Sequence, residues 1–371
     1  MKILMISSDR KMFDQGSDVR SRLLDYGGIV DELHVIVFTK KTLGLQKETF
    51  AHNIFLYPTN ALTRFGYIAR AIRAGVKIAR SGVKFDVITA QDPFEIGFVA
   101  YALSRILNAR LHIQVHTDHM GLYFKNESPL NRFRVMLSRF VLPRADAVRV
   151  VSERIKSALS GVVSRGVPIE VIPVFIDADR IRNTKITQNL KVKYPQFDKI
   201  ILMASRLSPE KNIQMAIRSM VHVVERYPKA GLIIAGSGKE ESSLKKLVNE
   251  LHLEKNSMFE GWSSDLVSYY KTADVFLLTS NYEGYGMTVA ESLLSGTPVV
   301  MTDVGCAGDL VQHGINGLVV PVGDEKALER AVMRVVSEGI LFEKKEMAFP
   351  SKEWYLQKYK KSWQDALAKK V

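Results

Sequence analysis

The sequence predicts an α/β protein of two doubly wound domains, and three observations carry that expectation. Short apolar runs rich in branched residues alternate with amphipathic stretches along most of the 371 residues, the pattern of a parallel sheet covered by helices. The alternation lapses between about Asp177 and Lys199, a polar stretch with Asn183, Gln188 and Asn189 and no clear apolar face. It then restarts on the strong strand Ile200-Ile201-Leu202-Met203-Ala204. The expected organisation is a first domain over 1–178, a linker over 179–199, a second domain over 200–350 and a terminal segment over 351–371.

In the first half, strands are expected near Lys2–Ser7, Leu33–Thr39, Asn53–Tyr57, Phe85–Ala90, Leu111–His116, Ala147–Ser152 and Glu170–Val174. Helices are expected roughly at 17–31, 61–82, 94–107, 129–142 and 153–163. The second half offers strands near Ile200–Ala204, Leu232–Ala235, Met258–Phe259, Val275–Leu278, Pro298–Met301 and Gly317–Val320. Ser351 before acidic and aromatic residues reads as the cap of a last helix. Trp354, Leu356, Tyr359, Trp363 and Leu367 give that helix a sticky face, expected to pack back on the first domain.

Composition narrows the class. A hydrophobic fraction of 46% with 25% charged residues is that of an ordinary globular chain, not a disordered or disulfide-stapled one. The lone Cys306 cannot form an internal bridge, which suits a reducing compartment. The apolar start ends at Ser7-Ser8-Asp9-Arg10-Lys11, too soon for a signal peptide. No run approaches the ~20 apolar residues of a membrane span, so a cytoplasmic protein, peripheral on the inner face of the membrane, is expected. The net charge of +13 is uneven: residues 51–150 hold 14 Lys and Arg against 6 Asp and Glu. That bias suggests a polyanionic neighbour.

Ligands of open parallel sheets sit at the carboxyl ends of strands, beside helix N-termini. Two groups fall there. In Ser205-Arg206-Leu207-Ser208-Pro209-Glu210-Lys211-Asn212, Ser208-Pro209 reads as a helix start with Pro at the first position. Lys211 then lies in a first helical turn, where the dipole disfavours a cation. Arg206 and Lys211 together would attract a dianion such as a diphosphate. In Ser280-Asn281-Tyr282-Glu283-Gly284-Tyr285-Gly286-Met287-Thr288-Val289-Ala290-Glu291, glycines let the backbone approach a ligand. The amides of Gly286, Met287 and Thr288 could cradle a phosphate. Glu283 and Glu291 would repel that phosphate, so neutral sugar and ribose hydroxyls are their sensible partners.

Arg206 and Lys211 after the first strand of a second domain, followed by Glu283, seven residues and Glu291, strongly resemble the retaining glycosyltransferases of family four. Gly296-Thr297-Pro298-Val299-Val300, Thr302-Asp303-Val304-Gly305 and Gly314-Ile315-Asn316-Gly317-Leu318-Val319 are similar to that family too. The resemblance covers essentially the whole chain and is most specific from about 200 to 325. It implies the GT-B fold, two Rossmann-like domains facing across a cleft that closes on substrate. It implies a nucleotide-diphosphate-sugar donor, with no cofactor and no bound metal. Carried over by position, Arg206 and Lys211 neutralise the diphosphate, Glu283 contacts the sugar, and Glu291 holds the ribose. His116 in Gln114-Val115-His116-Thr117-Asp118 matches the family's strand-end His beside the reacting centre. Gly16 matches its first Gly-rich loop, although a lone Gly stands where many relatives have a pair. Pro173-Val174-Phe175-Ile176-Asp177 replaces a frequent Asn-Gly turn, and Cys306 stands where a second Gly is common.

Other motifs weigh less. His116, Asp118 and His119 lack the further Cys or His of a metal site. Gly236-Ser237-Gly238 lacks the third Gly of a dinucleotide fingerprint, and Gly236 is expected to open a helix near the donor base. Arg70, Arg73, Lys77, Arg80 and Lys84 form a basic stripe at helical spacing, with Phe65, Ile68 and Ile72 as an apolar counterpart. Arg132, Arg134, Arg139 and Arg144 add to it, and an anionic membrane surface is the expected partner. The acceptor is expected to be a glycan or a lipid-linked glycan. Two rivals stand beside this reading: a nucleotide-sugar epimerase of the same fold, and a non-catalytic basic binding protein. No aromatic-interleaved basic motif supports nucleic acid.

Overall fold

The computed structural model describes residues 1–64, 66–338 and 349–368. Its backbone divides into two units, Met1–Pro173 with the segment from Pro350, and Val174–Phe349.

The first unit holds strands β1 (Lys2–Ser7), β2 (Glu32–Val37), β3 (Glu48–Phe50), β4 (Ile54–Pro58), β5 (Val87–Ala90), β6 (Arg110–Val115), β7 (Ala147–Val150) and β8 (Ile169–Val171). Their order is β3-β4-β2-β1-β5-β6-β7-β8. Every neighbouring pair is parallel except β3–β4. Its helices are α1 (Asp18–Gly27), α2 (Gly66–Arg80), α3 (Glu95–Leu107), α4 (Leu122–Glu127), α5 (Pro129–Val141) and α6 (Glu153–Leu159). The short edge strand β3 and the single-turn α4 escaped the sequence reading, because neither carries enough residues to establish a period.

The second unit begins with α7 (Ala178–Asn183) and α8 (Leu190–Lys193). It continues through β9 (Lys199–Ala204), α9 (Ile213–Arg226), β10 (Ala230–Ala235), α10 (Glu241–Glu250), β11 (Ser257–Gly261), α11 (Leu266–Thr272) and β12 (Val275–Leu278). It ends with α12 (Met287–Leu294), β13 (Val299–Thr302), β14 (Gly317–Val320) and α13 (Glu325–Glu338). The parallel sheet runs β11-β10-β9-β12-β13-β14. Alternation along β9 explains why it is apolar from Ile200 to Ala204. Ile201 and Met203 enter one buried cluster with α9, α10 and α13. Ile200, Leu202 and Ala204 enter another on the opposite face. A strand covered on both sides has no face to leave polar.

The segment read as a linker is part of this second unit. Ile176 and Ile181 are buried against Ala290 and Leu294 of α12, and Leu190 and Phe197 are buried with Tyr269, Tyr270 and Phe276. Thr187 and Leu190 donate backbone N–H to the hydroxyls of Ser268 and Thr272. The domain boundary therefore falls at Pro173, earlier than the expected 178. A few anchors in short helices suffice to dock a polar stretch whose sequence has no repeating apolar face.

After residue 349 the chain rejoins the first unit as α14 (Lys352–Leu367), capped by the Ser351 hydroxyl. It packs on β5, β6 and β7, burying Tyr355, Tyr359, Trp363 and Ala366. Trp354 and Leu367 remain exposed.

Candidate functional site

Both sheets reverse their strand order next to the strand that starts them, between β1 and β5 and between β9 and β12. Such reversals open a crevice at the carboxyl ends of the strands. In the second unit the loops at that point are Ser205–Asn212 after β9 and Thr279–Gly286 after β12. They are stapled together. Asn281 N–H donates to the Glu210 carbonyl at 2.8 Å, and the Thr279 hydroxyl donates to the carbonyls of Lys211 and Asn212 at 2.9 and 3.0 Å. Asn212 Nδ2 donates to Asn281 Oδ1 at 3.2 Å.

The staples bring Lys211 Nζ within 2.5 Å of Glu283 Oε1, both side chains being mostly buried. The Ser280 hydroxyl donates to the same carboxylate at 2.7 Å. Lys211 is not in the first turn of an α-helix as expected. Pro209–Lys211 form a 3-10 turn, and α9 starts only after Asn212, at φ +45, a conformation Asn tolerates. Arg206 is also paired: it reaches Glu210 at 3.1 Å, four residues on, with its side chain 78% exposed. Glu210 also accepts the Ser208 hydroxyl, and its carboxyl lies below the ordinary range because those hydrogen bonds and Arg206 outweigh the burial opposing them. One cation is thus held in a buried pair and the other in an exposed one.

Gly286, at φ +93, is the N-cap of α12, so Met287 and Thr288 supply first-turn amides, which have no intrahelical acceptor. Gly305 closes the same loop from the β13 side. A side chain there would lie 2.5 Å from the Tyr285 carbonyl and 2.9 Å from Glu283 Cβ, and Cys306 N–H donates to Tyr285 O. Cys306 is fully buried.

Glu291 lies one turn further into α12, in a different environment from Glu283. Tyr270 Oη donates to it at 3.2 Å. Burial raises its carboxyl above the ordinary range, against the opposing pull of Tyr270 and then Arg180. A buried carboxylate of this kind gains from hydroxyl donors that a ligand brings. Tyr270 and Arg180 were invisible to sequence reasoning, being 21 and 111 residues away with no motif. Glu210 lies four residues from Arg206, but the two share no helix, so that spacing carried no signal.

Gly236 belongs to the loop after β10, which braces the Arg206 loop. Leu207 N–H donates to Ser237 O, and Glu240 N–H donates to Leu207 O. Gly236, at φ +139, comes so close that a Cβ would sit 1.8 Å from the Ser205 carbonyl oxygen.

In the first unit, Gly16 has φ +88 with open space beside it, just ahead of Ser17, the N-cap of α1. His116 follows β6, and its Nε2 lies 3.2 Å from Gln114 Oε1. Burial, then Arg149 and Arg22, push its imidazole down to about 3, so it is neutral near pH 7. Among the described residues, no three His, Cys, Asp or Glu side chains come together as a metal would require.

Two family descriptions match the chain: "Glycosyltransferase Family 4" over residues 31–180 and "Glycosyl transferases group 1" over residues 186–349. Together these matches span residues 31–349. The chain belongs to this glycosyltransferase family. It is 31% identical over 248 residues to alpha-monoglucosyldiacylglycerol synthase of Streptococcus pneumoniae, covering 64% of this chain and 55% of that one. It is 23% identical to N-acetyl-alpha-D-glucosaminyl L-malate synthase of Bacillus anthracis, covering 87% and 84%. Anabaena HepE, solved with UDP and glucose, matches 99% of this chain and 94% of its own at 22% identity and a TM-score of 0.69. Sucrose-phosphate synthase from Thermosynechococcus elongatus matches 98% and 94% at 20% identity and a TM-score of 0.74. These likenesses show the fold of this glycosyltransferase, GT-B.

Proposed function

We propose that this glycosyltransferase moves a sugar from a nucleotide-diphosphate-sugar to a glycan or lipid-linked acceptor, with retention at the anomeric carbon. The observation that carries the reading is the pairing of Lys211 with Glu283 beside the first turn of α12. A cation, a carboxylate and free amides then share one loop junction. Arg206 leaves Glu210 and joins Lys211 on the diphosphate, where negative charge grows as the sugar departs. Glu283 takes sugar hydroxyls, and Glu291 takes ribose hydroxyls. His116 serves the reacting centre as a neutral group. The anomeric C–O bond to the diphosphate breaks and the acceptor oxygen bonds to that carbon on the same face. The acceptor's proton passes to the leaving phosphate. No resident cofactor is invoked, since the side-chain cations neutralise the leaving group. HepE binds UDP and glucose, which supports a donor of this class.

Thermal shift against UDP-, GDP- and ADP-sugars tests the donor. One series should stabilise the protein, by ~2.7 kcal/mol at a hundredfold excess over Kd. Glu291→Ala should weaken that shift, and Glu283→Ala and Arg206→Ala should lose donor hydrolysis. Turnover indifferent to all three changes would sink the assignment.

We further propose that the first unit seats on an anionic bilayer. No helix of the described residues is long and apolar enough to cross one. Arg70, Arg73, Lys77, Arg80 and Lys84 are exposed, but Ile68 and Ile72 are half-buried and Phe65 lies outside the described residues. The exposed face of α4 and α5 suits insertion better. Leu122, Tyr123, Leu130, Phe133, Met136 and Phe140 are exposed there, beside exposed Lys125, Arg132 and Arg139. Arg134 is tied to Glu95, and Arg144 stacks on Phe140. The Streptococcus relative is named for a glucosyldiacylglycerol product, in keeping with a lipid-linked acceptor. Phe133→Ser with Met136→Ser should abolish cosedimentation with anionic vesicles at low salt. Arg73→Ser with Lys77→Ser should weaken it by ~1 kcal/mol per charge. Wild-type protein that stays in the supernatant defeats the proposal.

A further inference from the structure

Arg149, on β7 beside the edge strand β8, is buried, 2% exposed. One amino group donates to Gln114 Oε1 at 2.9 Å. The other donates to the carbonyls of Ile172 and Pro173 at 3.0 and 3.3 Å and to Tyr355 Oη at 3.3 Å. The guanidinium lies 4.6 Å from the Tyr359 ring centre. Tyr359 Oη donates to the same Gln114 oxygen at 2.8 Å and stacks on Tyr26 at 4.4 Å. On the other side, Gln114 Nε2 donates to Thr89 Oγ1 at 3.2 Å.

A guanidinium has donors and no acceptor. Gln114 must therefore turn its oxygen, not its NH2, toward Arg149. His116 Nε2 faces that same oxygen and can satisfy it only as N–H. A neutral imidazole protonated on Nε2 keeps a bare lone pair on Nδ1. Were the amide reversed, two donors would collide at Arg149. His116 would then accept through Nε2 and carry its proton on Nδ1.

We propose that Arg149, acting through Gln114 and supported by Tyr355 and Tyr359 of α14, is a positioning residue that sets the tautomer of His116. It keeps Nδ1 as a hydrogen-bond acceptor for a substrate hydroxyl. The substrate clause rests on the reading of His116 given above; the tautomer clause rests on the hydrogen bonds around Gln114 and on the imidazole being neutral. Arg149 touches no substrate in this scheme. Its action is to remove one of two orientations from Gln114, and with it one of two imidazole tautomers. Helix α14, remote in sequence, thereby becomes part of the support for a strand-end histidine.

The test is imidazole 15N NMR on the full chain, with the His116 signals assigned by their loss in His116→Gln. The wild type should show a protonated Nε2 and a bare Nδ1. Arg149→Met should move His116 to the other tautomer or to a mixture. It should also lower kcat at least about tenfold, as for other partners that fix an imidazole's tautomer, with donor KM unchanged within twofold. Arg149→Lys, again a pure donor, should restore the wild-type signature and most of kcat. Methionine keeps the volume but leaves the carbonyls of Ile172 and Pro173 without this donor, a cost in stability, so thermal melts accompany the spectra. Should Arg149→Met fail to fold, Gln114→Leu supplies the same readout by removing the oxygen that His116 faces. A wild-type His116 protonated on Nδ1 overturns the inference, as does a tautomer indifferent to both Arg149→Met and Gln114→Leu. If the tautomer shifts as expected but His116→Ala transfers sugar at the wild-type rate, the role assigned to His116 fails and the role of Arg149 survives.

Discussion

Replacing Lys211 by methionine should reduce sugar transfer by about 10²–10³-fold, the usual loss when one preorganised donor is taken from developing charge. The reasoning starts from its ion pair with Glu283, in which the two side chains are 14% and 13% exposed. Removing the ammonium alone also strands a carboxylate that keeps, among the described residues, only the Ser280 hydroxyl. Two losses are therefore mixed in the single variant, one structural and one catalytic. Reading Lys211→Met with Glu283→Gln against Glu283→Gln alone separates them, because a neutral amide no longer needs the cation. The double variant should recover the melting temperature of the wild type and turn over far more slowly than Glu283→Gln. A double variant as fast as Glu283→Gln alone would mean that Lys211 serves only to neutralise Glu283. A stopped assay of donor turnover, read beside thermal melts of each variant, decides between these outcomes.

Gly236→Ala should destabilise the second unit by about 4 kcal/mol or more, the rare upper range for single substitutions. In a unit of this size that corresponds to a fall of roughly 10 °C in its melting temperature. The cause is a backbone collision, since the new methyl would lie 1.8 Å from the Ser205 carbonyl oxygen, at a residue whose φ is +139. A carbonyl within a loop bonded on both sides has nowhere to go. Leu207 is held by Ser237 and in turn holds Glu240. Donor binding should fall with stability, because the displaced loop carries Arg206. A Gly236→Ala protein that melts like the wild type would show that the two loops are further apart than described. Gly16→Ala is the useful contrast: it meets open space, so its penalty should be limited to the strain of φ +88.

These two expectations differ in how far they could be reached without coordinates. Lys211 and Glu283 were singled out as residues serving one ligand, on their positions after strands and on the family resemblance. What the sequence did not reveal was that they bond each other across 72 residues. Gly236 was expected to lie near a donor base. Its tight contact with Ser205 depends on two loops converging from parallel neighbours, and no spacing encodes that. The segment 177–199 misled for a related reason. Polarity along a chain resembles a tether, yet Ile181 and Leu190 are almost completely buried, and a handful of anchors outweighs many solvated side chains.

Local pattern alone determined the class of architecture: alternating strands and helices, two sheets, and chemistry at strand ends. Period, branching and caps are properties of neighbours in sequence, and they survive in any tertiary setting. Only the folded structure decided which charges are spent on one another. Arg206 goes to Glu210, Lys211 to Glu283, and Arg149 to an amide and two tyrosines. Those choices depend on distances of a few ångströms between distant segments and on how much water each group has lost, and neither quantity is written in residue order.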